Sequence, residues 1–186
     1  MLTLATAPAS ARPLGSGASD LDLSTGPLVR TGYVEPIEPA LSADEEFEVI
    51  FPIEGKSDLD PATGRGTIRY RGAMFLGRDK RRVTLTGFEF RRTAKRTTLT
   101  AKISGFCRAA WRGGNRTRRC VPTKRIELLR LLKVQYQPLD PTGQLSIESE
   151  AWLTRFAARA LNMRLATSAF KGDRYVGTLG VFADWR

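Results

Sequence analysis

Two cysteines, four tyrosines and a dense run of arginines are the side chains in this 186-residue sequence with chemistry to offer. Histidine is absent. That excludes Ser-His-Asp and Cys-His catalysis, His-ligated zinc and His-ligated haem. Two cysteines cannot build a four-thiolate metal site, and carboxylates alone favour hard cations. Glu45, Glu46, Glu48, Asp58 and Asp60 are the acidic candidates. The Asp58-Leu59-Asp60-Pro61 segment reads as a solvated turn, without a matching acidic ligand elsewhere. Gly64-Arg65-Gly66 and Gly113-Gly114 do not open a helix after a strand, so neither is a phosphate loop. No serine or threonine has an evident activating base. The expectation is a protein that is not an enzyme, with no catalytic residues, no metal site and no obligatory cofactor.

Cys107 and Cys120 enclose Arg112-Gly113-Gly114-Asn115-Arg116. Gly-Gly-Asn is turn chemistry, so the flanking segments can return antiparallel and bring the two thiols together. In an oxidising compartment this pair is expected to form a disulfide worth roughly 3 kcal/mol for such a loop.

The net charge of +11 is uneven. Residues 1–77 carry −5, residues 78–133 carry +15, and residues 134–186 carry +1. Arg78, Arg81, Arg82, Arg91, Arg92, Arg96, Arg112, Arg116, Arg118 and Arg119 dominate the central block. Such a field draws in polyanions, whether nucleic acid or an acidic cell-wall polymer. No nucleic-acid-binding motif accompanies it, and aromatic interleaving is thin, so nucleic acid is the less expected partner.

The elements that must position these residues are mostly strands. Phe47, Val49, Phe51 and Ile53 alternate, as do Val83 and Leu85, then Phe88 and Phe90 after a phase change at Gly87 that predicts a bulge. Leu99, Ala101 and Ile103 follow, then Ile126–Val134, Leu145–Leu153 and Tyr175–Val181. Turn clusters such as Asp60-Pro61-Ala62-Thr63-Gly64 and Asp140-Pro141-Thr142-Gly143 separate them. This pattern predicts an all-β fold, an antiparallel β-sandwich or partly open barrel. One helix is predicted over about 154–165, capped by Thr154, with Phe156, Ala157, Ala160, Leu161 and Leu165 as its apolar stripe. Residues 1–11 read as a signal-peptide remnant closing on Ala9-Ser10-Ala11. Residues 12–46 read as a Pro/Gly-rich arm containing a leading strand, and 47–186 as the sandwich domain. No segment is long and apolar enough for a transmembrane span.

The ordered landmarks Phe51-Pro52-Ile53-Glu54-Gly55, Leu59–Gly72, Val83–Phe88, Leu99–Ile103, Leu153-Thr154, Ala157-Ala158, Leu161-Asn162 and Phe170…Gly172…Gly177 form a series. Over about residues 28–183, with Leu28–Pro39 similar to a leading strand, it resembles the secreted actinobacterial proteins related to the HtaA domain, a surface module of haem uptake. The resemblance implies an extracytoplasmic β-sandwich with a late helix. Haem-binding members use a tyrosinate ligand supported by histidine, and here the carry-over fails, because there is no histidine and the N-terminal haem motif has no counterpart. Among Tyr33, Tyr70, Tyr136 and Tyr175, only Tyr33 is kept as a haem candidate, since Tyr70 and Tyr136 fall on strand faces that read as core. The leading expectation is a secreted or cell-surface module for binding or self-assembly, the arm adding a strand to a neighbour's sheet. Haem through Tyr33 and polyanion binding through the arginines are the alternatives.

Overall fold

The computed structural model describes residues 12–23, 33–42, 47–78, 81–104, 107–112, 115–120, 123–138 and 143–185, of which 12, 33, 78, 107–112 and 115–120 are described by their backbone alone. The signal-peptide reading of residues 1–11 lies outside these. The strands are β1 (Arg12–Asp22), β2 (Tyr33–Ile37), β3 (Leu41–Ser42), β4 (Glu48–Pro52), β5 (Asp58–Leu59), β6 (Gly66–Arg69), β7 (Ala73–Arg78), β8 (Arg81–Arg92), β9 (Thr97–Ile103), β10 (Cys107–Arg112), β11 (Asn115–Cys120), β12 (Lys124–Gln137), β13 (Gln144–Leu153) and β14 (Arg174–Trp185). Among the described residues there is one helix, α1, which spans Arg155–Leu165.

Pairing runs β14-β13-β12-β9-β8-β6-β5-β1, and β1 also pairs with β14, so these strands form a closed ring. Two wings extend it. β4 pairs with β1 and carries β3, while β7 pairs with the first half of β8 and carries β2. Strand β8 serves both β6 and β7 because Gly87 (φ +56) makes the expected bulge, where its register with β9 shifts between Thr86 and Glu89. The fold is an antiparallel, all-β barrel with one helix among the described residues; the alternation implied a sandwich or a partly open barrel, and the β1–β14 pairing closes the ring.

The arm is where structure and expectation part. Residues 12–22 are a full strand, flanked by β14 on one side and by β4 and β5 on the other. Leu14, Ser19 and Leu21 are fully buried there, which small residues on either side permit at close strand spacing. β1 is therefore not available to a neighbour's sheet edge. The leading strand expected within Leu28–Pro39 is present as β2, the outermost strand of its wing.

Alternating residues of the large sheet meet in one core, in which Phe51, Phe88 and Phe90 are the largest fully buried side chains, with Phe51 and Phe88 ring centroids 4.6 Å apart. Helix α1 packs on β8 and β12 and closes the core. Thr154 Oγ1 accepts from Ala157 N (3.1 Å) and donates to the Glu127 carbonyl (2.6 Å), so the cap also ties the helix to β12. Ala157, Ala158, Ala160, Leu161, Arg164 and Leu165 are buried. Phe156 is not: it is 54% exposed, and Ala158 takes the place expected for it in the stripe. A Thr154→Ala change should cost about 1 kcal/mol, read as a lower urea midpoint at unchanged slope.

Candidate functional site

Strand direction decides which cations meet. β8 runs from Arg81 to Arg91 over ten residues, so these two lie about 33 Å apart at the rise of an extended strand. The basic block is therefore two clusters rather than one surface.

At the end occupied by the β8–β9 turn, the arginines are largely spent on structure. Arg96 pairs with Glu127 (3.3 Å). The Arg92 guanidinium stacks 5.5 Å from the Tyr136 ring centre, and burial holds its pKa below the usual value. Tyr136 in turn donates to the Pro61 carbonyl (2.6 Å), pinning the turn between β5 and β6. In that turn Asp60 accepts from Ala62 N (2.8 Å) and Thr63 Oγ1 (2.9 Å), and these bonds lower its pKa. Asp60 thus builds a turn, as expected of it, and Arg91 is exposed beside it on the strand.

The opposite end is the basic pole. Arg78 and Arg81 are backbone partners across the β7–β8 turn. β9 ends three residues short of this level, where Ser104 N donates to the Thr84 carbonyl (2.8 Å), and β12 starts there with Lys124 opposite Ile103. Between them the chain forms β10 and β11, a separate two-stranded sheet whose backbone carries Arg112, Arg116, Arg118 and Arg119 away from this same end. Arg81, Arg82, Lys102, Lys124 and Arg125 are exposed here, and among the described residues no ion pair engages them. The Arg82 guanidinium sits 4.7 Å over the Phe75 ring, and Arg125 donates to Thr100 Oγ1 (2.8 Å), so both are held without losing their charge. The sequence pattern alone did not single out Lys102, Lys124 or Arg125. Lys102 had a signal, being the outward residue between the inward Ala101 and Ile103.

The helix is anchored to this pole by Arg164. Its side chain is only 6% exposed, its Nε donates to the Ser104 carbonyl (3.1 Å) and its Nη1 to the Ala160 carbonyl (3.3 Å). Burial without a carboxylate partner among the described residues lowers its pKa.

The two cysteines are direct partners in the β10–β11 register, Cys107 opposite Cys120. Directly opposed residues in an antiparallel pair have Cα atoms about 4.5–5.5 Å apart, inside the range a disulfide requires. Their side chains lie outside the described residues.

The tyrosines sort cleanly. Tyr70 is buried, its hydroxyl 3.0 Å from Ser19 Oγ, which donates to the Gly180 carbonyl (2.7 Å), and burial pushes its pKa up. Such a phenol is no metal ligand. Tyr136 is committed to Pro61, and Tyr175 packs edge-on to Trp152 on the outer face (6.1 Å). Tyr33 lies opposite Gly77 at the start of β2, one residue from the level of Arg78, and so by backbone position belongs to the basic pole. Beneath α1 the core leaves an apolar void of about 30 Å³ among residues such as Leu21, Met74, Leu128 and Phe170. It has no room for a planar macrocycle. No group of three or more metal-ligating side chains occurs among the described residues.

No protein-family model and no curated protein sequence matches the chain. Solved structures do. The C-terminal domain of HtaA from Corynebacterium glutamicum superposes with a TM-score of 0.63 at 11% identity, covering 95% of this chain and 100% of that one. The N-terminal domain of HtaA gives 0.61 at 12% identity over 93% and 98% of the two chains. HtaB from the same organism, described as a haem-binding protein, gives 0.59 at 10% identity over 95% and 96%. With TM-scores of 0.59 to 0.63 over nearly the whole length at so low an identity, the chain has the fold of the HtaA and HtaB domains.

Proposed function

We propose that this chain is a non-catalytic binding module that works outside the cytoplasm and takes an anionic ligand at its basic pole. The observation that carries the reading is a band of exposed cations over the Arg81 half of β8 and the strands beside it, with Arg81 and Arg82 at its start, Lys124 level with Leu85, and Lys102 and Arg125 level with Thr86, none with an ion-pair partner among the described residues. Unpaired cations gathered from three strands raise the local potential and favour association with polyanions. The cysteine register and the signal-like composition of residues 1–11 support export, and the Arg-bearing β10–β11 hairpin would then be held by the Cys107–Cys120 bond. In that case Cys107→Ser should remove roughly 3 kcal/mol in oxidising buffer and nothing in reducing buffer. Comparing thermal melts in the two buffers reads this directly.

Inorganic polyphosphate is the probe for the pole. Its affinity should fall steeply as salt rises, because each neutralised charge releases a counterion. An affinity indifferent to salt contradicts the reading.

A second reading has its own support. HtaB, which shares the fold, is described as haem-binding, and Tyr33 is placed by register next to arginines that can lower a phenol's pKa and receive propionates. Haem is then an anionic ligand of the same pole, bound with Tyr33 as ligand. A Soret band shifted on titration and abolished by Tyr33→Phe is the expected result, and a spectrum equal to that of free haem removes this reading.

A further inference from the structure

We propose that the helix side of the basic pole, Arg81 and Lys124, and the outer face of α1 together dock on an anionic lipid bilayer surface, with Phe156 and Met163 entering its interfacial layer. The inference rests on the polyanion reading of the pole and specifies the partner.

Phe156 and Met163 are seven residues apart, which places them on one side of the helix about 10 Å apart along its axis. They are 54% and 55% exposed, while the residues between them that face the sheet are alanine and leucine, so packing is already complete without them. Arg159 is exposed between them. Lys124 Nζ lies 5.1 Å from the Phe156 ring centre. Arg81 and Lys124 share the strand phase of the inward residues Val83, Leu85 and Ile126, yet both are exposed because they stand at the ends of their strands. They therefore border the helix side of the barrel rather than its outer wall. At the other end of α1, Arg164 ties the turn carrying Met163 to Ser104, at the base of the Arg-bearing hairpin.

The arrangement is two protruding apolar side chains on a rigid support, with Lys124, Arg130 and Arg159 around them and the Arg96–Glu127 and Arg155–Asp173 ion pairs beside Phe156, so that cations are in excess. A soluble polyanion would be satisfied by the cations alone and has no use for the exposed phenyl and thioether. An anionic bilayer uses both, since its headgroups attract Lys and Arg and its interface takes up apolar side chains. Charge complementarity thus selects the occupant: a surface of negatively charged lipid, and not a zwitterionic one.

The test is co-sedimentation with vesicles of phosphatidylglycerol and phosphatidylcholine, against vesicles of phosphatidylcholine alone, with polyphosphate binding measured in parallel. The full chain should bind the anionic vesicles at low salt and leave the zwitterionic ones. Phe156→Ser with Met163→Ser should weaken vesicle binding about tenfold and leave the polyphosphate affinity unchanged. Both side chains are more than half exposed, so the variant should keep the parent circular dichroism and melting temperature. Vesicle binding that is absent, or indifferent to the double substitution, while polyphosphate still binds, overturns the inference and leaves the pole reading standing. Failure with both probes overturns the two together.

Discussion

Gly177→Val should destabilise the protein by about 3 kcal/mol, which in a chain of this length lowers the melting temperature by roughly 10 °C. The residue stands at a bulge, where the β13–β14 register shifts between Ala151 and Trp152, with φ at +150. A Cβ built there would meet the Asp22 carbonyl oxygen at 1.8 Å and the Leu23 Cα at 3.1 Å. The obstacle is backbone of β1, the strand that closes the ring, so relief requires the β1–β14 seam to part. Gly143 is the control. Its φ is also positive (+88), but nothing among the described residues lies within 4 Å of an added Cβ. Gly143→Ala therefore carries the conformational cost without the collision, about 1 kcal/mol. Equal losses in the two variants, by urea titration, would mean that β1 does not close the barrel as described.

The second large effect concerns binding. Arg81→Glu with Arg82→Glu reverses two charges at the pole and should weaken polyphosphate binding roughly a hundredfold at low salt, since each exposed cation is lost and each new anion repels. The same two reversals at the far end, Arg91→Glu with Arg96→Glu, should cost far less. Arg91 lies about 33 Å from Arg81 along β8, beyond the screening length at physiological salt. Arg96 is in addition already paired with Glu127. Loss of affinity of the same size from both double variants would mean that the protein binds through diffuse charge, and the pole would have no special part.

How much of this was legible in the sequence depends on the range of the interaction. Alternation is local, and it located the strands, the Gly87 bulge and the Thr154 cap correctly, because side-chain phase and capping need only neighbouring residues. The strand over Ile126–Val134, where the leucines also fit a helix face, is β12. Local reading failed where partners are distant. Pro13, Gly15 and Gly17 make residues 12–22 look like an arm, yet β14, more than 150 residues later, supplies the partner that makes them a strand. The arginine block looked like one surface because its members are close in sequence, whereas an extended strand separates its two halves. Phe156 fits the helical stripe by spacing, but the sheet needs small residues at that contact, and alanines occupy it. Tyr70 shows the reverse case. Its phase marked it as core, and the structure adds the reason a phenol can be buried there, the hydroxyl of Ser19.

If one end of the barrel is the binding end, amide chemical-shift mapping during titration with polyphosphate should show saturable shifts at residues 81–84, 102–104 and 123–126, with residues 91–98 and the outer face of β13 and β14 unmoved. Shifts centred on residues 91–98, or spread evenly over all exposed arginines, would contradict it.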